Sequence, residues 1–244
     1  MSADTLITIG YYLSSVGFLA AFITMGVAVQ KFGKSSLASI FYYLFIGTGI
    51  FFVITVFQKL GGDFFGIGDT SMDFWWHLMF YMAFFFYFQG IKLLVNLGNA
   101  DAQQNQMAQI DGERKWGVGA RFVLVVVFII PKFADGIVTA YMSSPFADFG
   151  LHHFLAFAVA AAVGFYLLHA EKNLGQIGKA IANPMIVAMW AFAGQHFWEL
   201  LVESWKVIQV TSETGEGVEK IFLVIAAISI TYAAWRLNSF AKAS

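Results

Sequence analysis

Long apolar stretches alternate with short polar breaks along almost the whole chain. A helix needs about 20 mostly apolar residues to cross the hydrocarbon of a bilayer. Seven stretches meet that requirement, at 5–30, 36–60, 72–97, 117–143, 150–170, 183–207 and 219–238. The breaks between them carry turn-forming residues, such as Gly33-Lys34-Ser35-Ser36, Gly61-Gly62-Asp63, Ser143-Ser144-Pro145 and Asn183-Pro184. The longest break, 98–116, is rich in Asn, Gln and charge, a composition suited to a surface segment. The pattern predicts an all-α integral membrane protein. It is a single domain over 1–244, built as one bundle of seven transmembrane helices, with no internal repeat.

Charge gives the bundle a direction. Ten of the 14 Lys and Arg residues fall at one set of helix ends: Lys31, Lys34, Lys92, Arg114, Lys115, Arg121, Lys172, Lys179, Arg236 and Lys242. Acids collect at the other ends, among them Asp4, Asp63, Asp69, Asp148, Glu213 and Glu216. Basic residues stay on the cytoplasmic side of a membrane. The expected topology therefore puts the amino terminus outside and the carboxyl terminus in the cytoplasm, in a multi-pass protein of a cytoplasmic-type cell membrane.

Composition supports that class and narrows the chemistry. The chain is 59% hydrophobic and 12% charged, with a mean hydropathy of +0.71, where soluble domains carry about 25% charged residues. There is no cysteine, which excludes disulfides, thiolate metal sites and thiol nucleophiles. A net charge of −1 offers no basic surface for nucleic acid. The lysine-poor start runs into a long apolar helix without a small-residue cleavage pattern, which argues against a removed signal peptide. The expected partners are membrane lipids and other membrane protein subunits.

The candidate chemistry lies in ionisable residues inside the spans. Such a residue costs about 2.5–3.5 kcal/mol at mid-membrane on the mildest scale, so it faces protein or a water-filled cavity. On the sixth span His196, Glu199 and Glu203 share one helix face. Lys132, Asp135 and Thr139 do so on the fourth, just after Pro131. Asp73 and His77 are i, i+4 neighbours at the start of the third span, and His152-His153 opens the fifth. Helices that alternate in direction bring all of these to the extracytoplasmic half. Imidazole and carboxylate are ligands for zinc, copper and non-haem iron, so His196, Glu199, His77 and His153 are the candidate metal ligands. Asp73 would orient His77, while Lys132, Asp135 and Glu203 would set the charge or relay protons. A haem between His77 and His153 is the other cofactor considered.

Three functional classes fit these residues. The first is a subunit of a multi-subunit energy-transducing or redox membrane assembly, carrying a transition metal or haem. The second is a channel or transporter for protons, ions or a small solute. The third is a purely structural subunit that docks partners, with Ala156, Ala158, Ala160, Ala161, Ala162 and Gly164 as a close-packing surface. Trp75, Trp76, Trp198 and Trp205 read as an interfacial aromatic belt. The topology matches that of retinal proteins, but Ile221 to Trp235 contains no lysine for a Schiff base.

Overall fold

The computed structural model describes residues 3–32, 36–65, 69–97, 135–172 and 174–243. All its regular structure is helical: α1 (Ala3–Phe32), α2 (Ser36–Phe65), α3 (Asp69–Leu97), α4 (Asp135–Met142), α5 (Pro145–Asp148), α6 (Leu151–Glu171), α7 (Gln176–Glu199) and α8 (Ser212–Ala243). A π-helical turn, Leu200–Ser204, continues α7. Among the described residues six helices are long and apolar enough to cross a membrane, at Thr5–Phe32, Ala38–Gln58, Met72–Asn96, Leu151–Glu171, Gly178–Ser204 and Ser212–Ser239. At about 1.5 Å rise per residue, the 21 residues of α6 already span the hydrocarbon. The chain is a helical multi-pass membrane protein.

Most of the stretch expected as a fourth span, 117–143, lies outside the described residues, as does Lys132. So does the side chain of Asp135, which opens α4.

Three sequence expectations about boundaries are corrected. Gly61-Gly62-Asp63 is no break, because α2 runs on through it to Phe65. Asn183-Pro184 is no break: Pro184 lies inside α7, which begins at Gln176. The last helix begins at Ser212 rather than 219, so Glu213 and Glu216 sit on a helix instead of in a loop. Thr211 marks that start, its Oγ1 accepting a hydrogen bond from the Thr214 N–H at 3.3 Å, as an N-capping hydroxyl does.

The helices close into a ring. α1 packs on α2 and α8, α2 on α3, α3 on α6, α6 on α7, and α7 on α8. Where α1 meets α8 the contact is close, because small residues line it: Ala21, Ala28, Ala226, Ala227, Ala233 and Ala234 are buried. Polar side chains tie the same seam, with Thr231 Oγ1 donating to the Gly17 carbonyl at 2.9 Å and Asn238 Nδ2 to the Thr24 carbonyl at 2.8 Å. Small residues and interhelical hydrogen bonds hold helices together in lipid, where burial of apolar surface gives no net drive.

Rings fill the middle. Phe18, Phe51, Phe80, Phe84, Tyr87 and Phe192 are fully buried. Phe51 stacks on Phe192 with centroids 4.5 Å apart, and Phe80 meets Phe192 edge to face at 5.5 Å. These are the offset and edge-on geometries that ring quadrupoles favour. On the outside, Ile221, Ile225, Ile228, Tyr232 and Trp235 form an exposed stripe on α8. Their spacing of three and four residues puts them on one face, which is turned to lipid.

Candidate metal centre

One end of the ring interior is polar, and three helices build it. α3 delivers Asp73 and His77 from its first turns, while α7 delivers Gln195, His196 and Glu199 from its last. α6 opens directly onto this level. Its approach is set by Gly150, whose φ of 75° falls in the left-handed region open mainly to glycine. A Cβ at that position would run into the Ser204 side chain. The turn is further held by Trp205 Nε1 donating to the Phe149 carbonyl at 3.2 Å. His152 and His153 therefore enter on the first turn of α6, and four of the chain's five histidines gather at one level.

His77, His153, His196 and Glu199 are all buried, and one ligand atom from each lies within 4.8 Å of the others. His77 Nε2 is 3.1 Å from His153 Nδ1. His153 Nδ1 is 2.9 Å from Glu199 Oε2, and His196 Nδ1 is 2.6 Å from the same oxygen. The four groups singled out in the sequence as ligands thus come together. A haem between His77 and His153 does not fit, because nitrogens 3.1 Å apart leave no gap for a porphyrin.

Support surrounds these groups. His77 Nδ1 lies 2.9 Å from the Asp73 carbonyl and 3.3 Å from its carboxylate. His153 Nε2 lies 3.6 Å from Glu203 Oε2. Gln195 Nε2 donates to Glu199 Oε1 at 2.9 Å. His196 Nε2 has no hydrogen-bond partner and is enclosed by rings, Phe80 edge to face at 4.4 Å and Trp76 at 5.5 Å.

Counting donors is informative. The Asp73 carbonyl only accepts, so His77 Nδ1 carries the proton and a neutral His77 turns a bare Nε2 toward His153. If His153 answers with its one proton on Nδ1, its Nε2 is left bare against the Glu203 carboxylate. If His196 puts its proton on Nε2, against the ring faces, its bare Nδ1 confronts the Glu199 carboxylate at 2.6 Å. With the proton on Nδ1 of all three rings, His153 has to share its one N–H between His77 and Glu199, and Nε2 of both His153 and His196 stays bare.

A single cation among His77 Nε2, His153 Nδ1, His196 Nδ1 and Glu199 Oε2 would use these inward-facing atoms together. His77 Nδ1–H would then donate to Asp73, His153 Nε2–H would point at Glu203 3.6 Å away, and His196 Nε2–H would face the rings. Tetrahedral ligands about 2.0–2.1 Å from an ion stand roughly 3.3 Å apart. The separations of 3.1, 2.9 and 2.6 Å fall short of that by about 0.2, 0.4 and 0.7 Å, so an ion would push these atoms outward.

No protein-family model, curated protein or solved structure matches this chain. What the site does has to be read from its own atoms.

Two further features were not legible in the sequence. His152, named in the sequence only alongside His153 and given no role, places Nε2 3.3 Å from Asp73 Oδ2 and Nδ1 3.0 Å from the Tyr141 hydroxyl. It braces the carboxylate that orients His77. Trp75 and Trp76, expected in an interfacial belt, are buried at 3% and 5% exposure. Trp76 instead covers His196 and donates Nε1 to Gln58 at 2.8 Å.

A cavity of about 730 Å³ adjoins the cluster, with His77, His153, Gln195 and Glu199 on its near wall. Its far wall comes from α8, with Glu216, Glu219 and Lys220. Lys220 is buried at 2% exposure. Its Nζ lies 3.9 Å from Glu219, 4.0 Å from Glu216 and 4.2 Å from the centre of the Tyr11 ring. Tyr11 donates its hydroxyl to Glu216 at 3.0 Å. The early start of α8 was the signal for this wall: the acids from Glu213 onward mark the first turns of a helix.

Proposed function

We propose that this chain is a seven-helix membrane protein that holds one divalent transition-metal ion on His77, His153, His196 and Glu199, at the outer end of its bundle. The carrying observation is the donor count, in which one cation gives every surrounding imidazole N–H an acceptor or a ring face. Three nitrogens and one carboxylate oxygen suit zinc, copper or iron. Asp73 and Glu203 fill the role of carboxylates that fix the tautomers of metal-bound histidines. An ion held there would supply Lewis acidity or one-electron chemistry beside a hydrated cavity.

The orientation rests on the distribution of Lys and Arg, and the seventh helix on the apolar stretch 117–143. With so little chain outside the membrane, the protein suits a place in a larger redox or energy-transducing assembly. A through-membrane path is disfavoured by the ring layer of Phe51, Phe80, Phe84 and Phe192, which closes the interior next to the site.

The test is titration of metal-stripped protein in mild detergent with Co(II), followed by its d–d absorption and by elemental analysis. One ion per chain in wild type and none in His196→Ala, with helicity retained, is expected. Wild-type protein that takes up no ion, or a variant that keeps it, would falsify the assignment.

A further inference from the structure

The cavity carries more than the candidate ion needs. Five carboxylates line it, Asp73, Glu199, Glu203, Glu216 and Glu219, against two lysines, Lys206 and Lys220. With a divalent ion held at Glu199, the five carboxylates stand against two ammonium groups and the ion, which leaves one negative charge in excess, or three without the ion. The surplus repels anions and draws cations. Lys220 uses little of the acceptor capacity beside it, since its Nζ stands 3.9–4.0 Å from the nearest carboxylate oxygens, beyond ordinary hydrogen-bond distance.

A second, independent observation concerns Gln195. Its side-chain orientation is fixed, because the carboxamide nitrogen has to face the Glu199 carboxylate it donates to. The other end, Oε1, is buried without any partner in a residue only 2% exposed that lines the cavity. Buried amide oxygens are nearly always satisfied. An unpaired acceptor beside an acidic cavity calls for a ligand that brings an N–H. The apolar side chains of Val202, Ile208 and Val210 also line the space and suit an alkyl group.

We propose that this cavity binds a small primary alkylamine in its ammonium form, the N–H groups going to Gln195 Oε1 and the surrounding carboxylates and the alkyl part to the valine and isoleucine side chains. This deepens the metal-site reading and rests on it for the nearness of a reactive ion, while the binding itself depends on the cavity walls alone. Tetramethylammonium has the charge without the N–H groups; propionate has the alkyl chain with the opposite charge.

The experiment is calorimetric titration of the full-length protein in detergent with propylammonium, tetramethylammonium and propionate, with and without Co(II). Propylammonium is expected to bind at least about tenfold more tightly than tetramethylammonium, as befits loss of charge-assisted hydrogen bonds, and propionate not to bind. Gln195→Leu is expected to weaken propylammonium by about tenfold. Glu216→Gln, which keeps the volume and an acceptor for Tyr11, tests the charge separately and should also weaken it. Propionate binding as well as propylammonium, or full affinity in both variants, overturns the proposal. Propylammonium binding to protein that takes up no Co(II) sinks the metal reading and leaves this one standing. Co(II) uptake without amine binding does the reverse.

Discussion

At the end where α3 and α6 begin, the interior holds three buried imidazoles and a buried carboxylate, while one turn deeper stacked rings dominate it. The two regions share helices and adjoin in sequence. Phe80 and Phe84 follow His77 on α3, and Phe192 precedes His196 by four residues on α7. Their physical demands are opposite. The ring layer is satisfied by shape, since Phe51, Phe80, Phe84 and Phe192 need only contact and edge-on geometry. The polar layer has to match donors to acceptors, and with neutral imidazoles it leaves ring nitrogens of His153 and His196 bare. A region that packs well yet leaves bare acceptors close together suits the bound ion proposed above, whereas a region whose contacts are all satisfied serves to hold the bundle.

Substitutions can break that comparison, and the largest effect belongs to the ligands. Glu199→Gln removes the negative oxygen shared by His153 and His196, and metal uptake measured by elemental analysis should be lost while the circular dichroism spectrum stays helical. Asp73→Asn leaves the ligands in place but disturbs the tautomer and orientation of His77. Its expected cost is about 10–100-fold in metal affinity, read by competition with a chelator.

The ring layer should respond in the other currency, stability rather than occupancy. Phe192→Ala leaves a cavity among Phe51, Phe80 and Phe84. Because lipid is as apolar as the interior, only the packing part of the usual Phe→Ala penalty applies, about 2 kcal/mol, seen as a lower unfolding midpoint with metal stoichiometry unchanged. A Phe192→Ala protein that folds normally and loses its ion would show that the two layers are one unit. The smallest effect is expected at Thr48, whose hydroxyl pairs with Tyr87 at 3.1 Å within the apolar layer. Thr48→Val should cost about 0.6 kcal/mol, the usual size of such a bond between membrane helices, again without touching metal uptake.

The sequence was a good guide to some residues and a poor one to others, for reasons of range. His77 and Asp73, or His196 and Glu199, were readable as pairs because helical spacing alone puts them on one face. Lys220 was not singled out, because it sits near a helix end, where lysine ordinarily reaches water. Its burial depends on Gly10 and Tyr11 of α1, more than 200 residues away in the chain. Pro184 looked like a break because proline interrupts helices in water, yet α7 runs through it, one lost hydrogen bond being tolerable among tightly packed helices. Trp76 looked like an interfacial anchor, and only the neighbouring α2 and α7 turned it into a lid over His196.

By itself the sequence determined that the chain lives in a membrane, where most of its spans lie and at what depth its ionisable residues stand. Those properties follow from hydrophobic length and a rise of about 1.5 Å per residue. Which helices are neighbours is a matter of side-chain packing between segments far apart in the chain, and no local pattern encodes it. Tertiary structure alone therefore decided that α3, α6 and α7 meet, that four histidines of similar depth share one site, and that a carboxylate lies where it can bridge two of them.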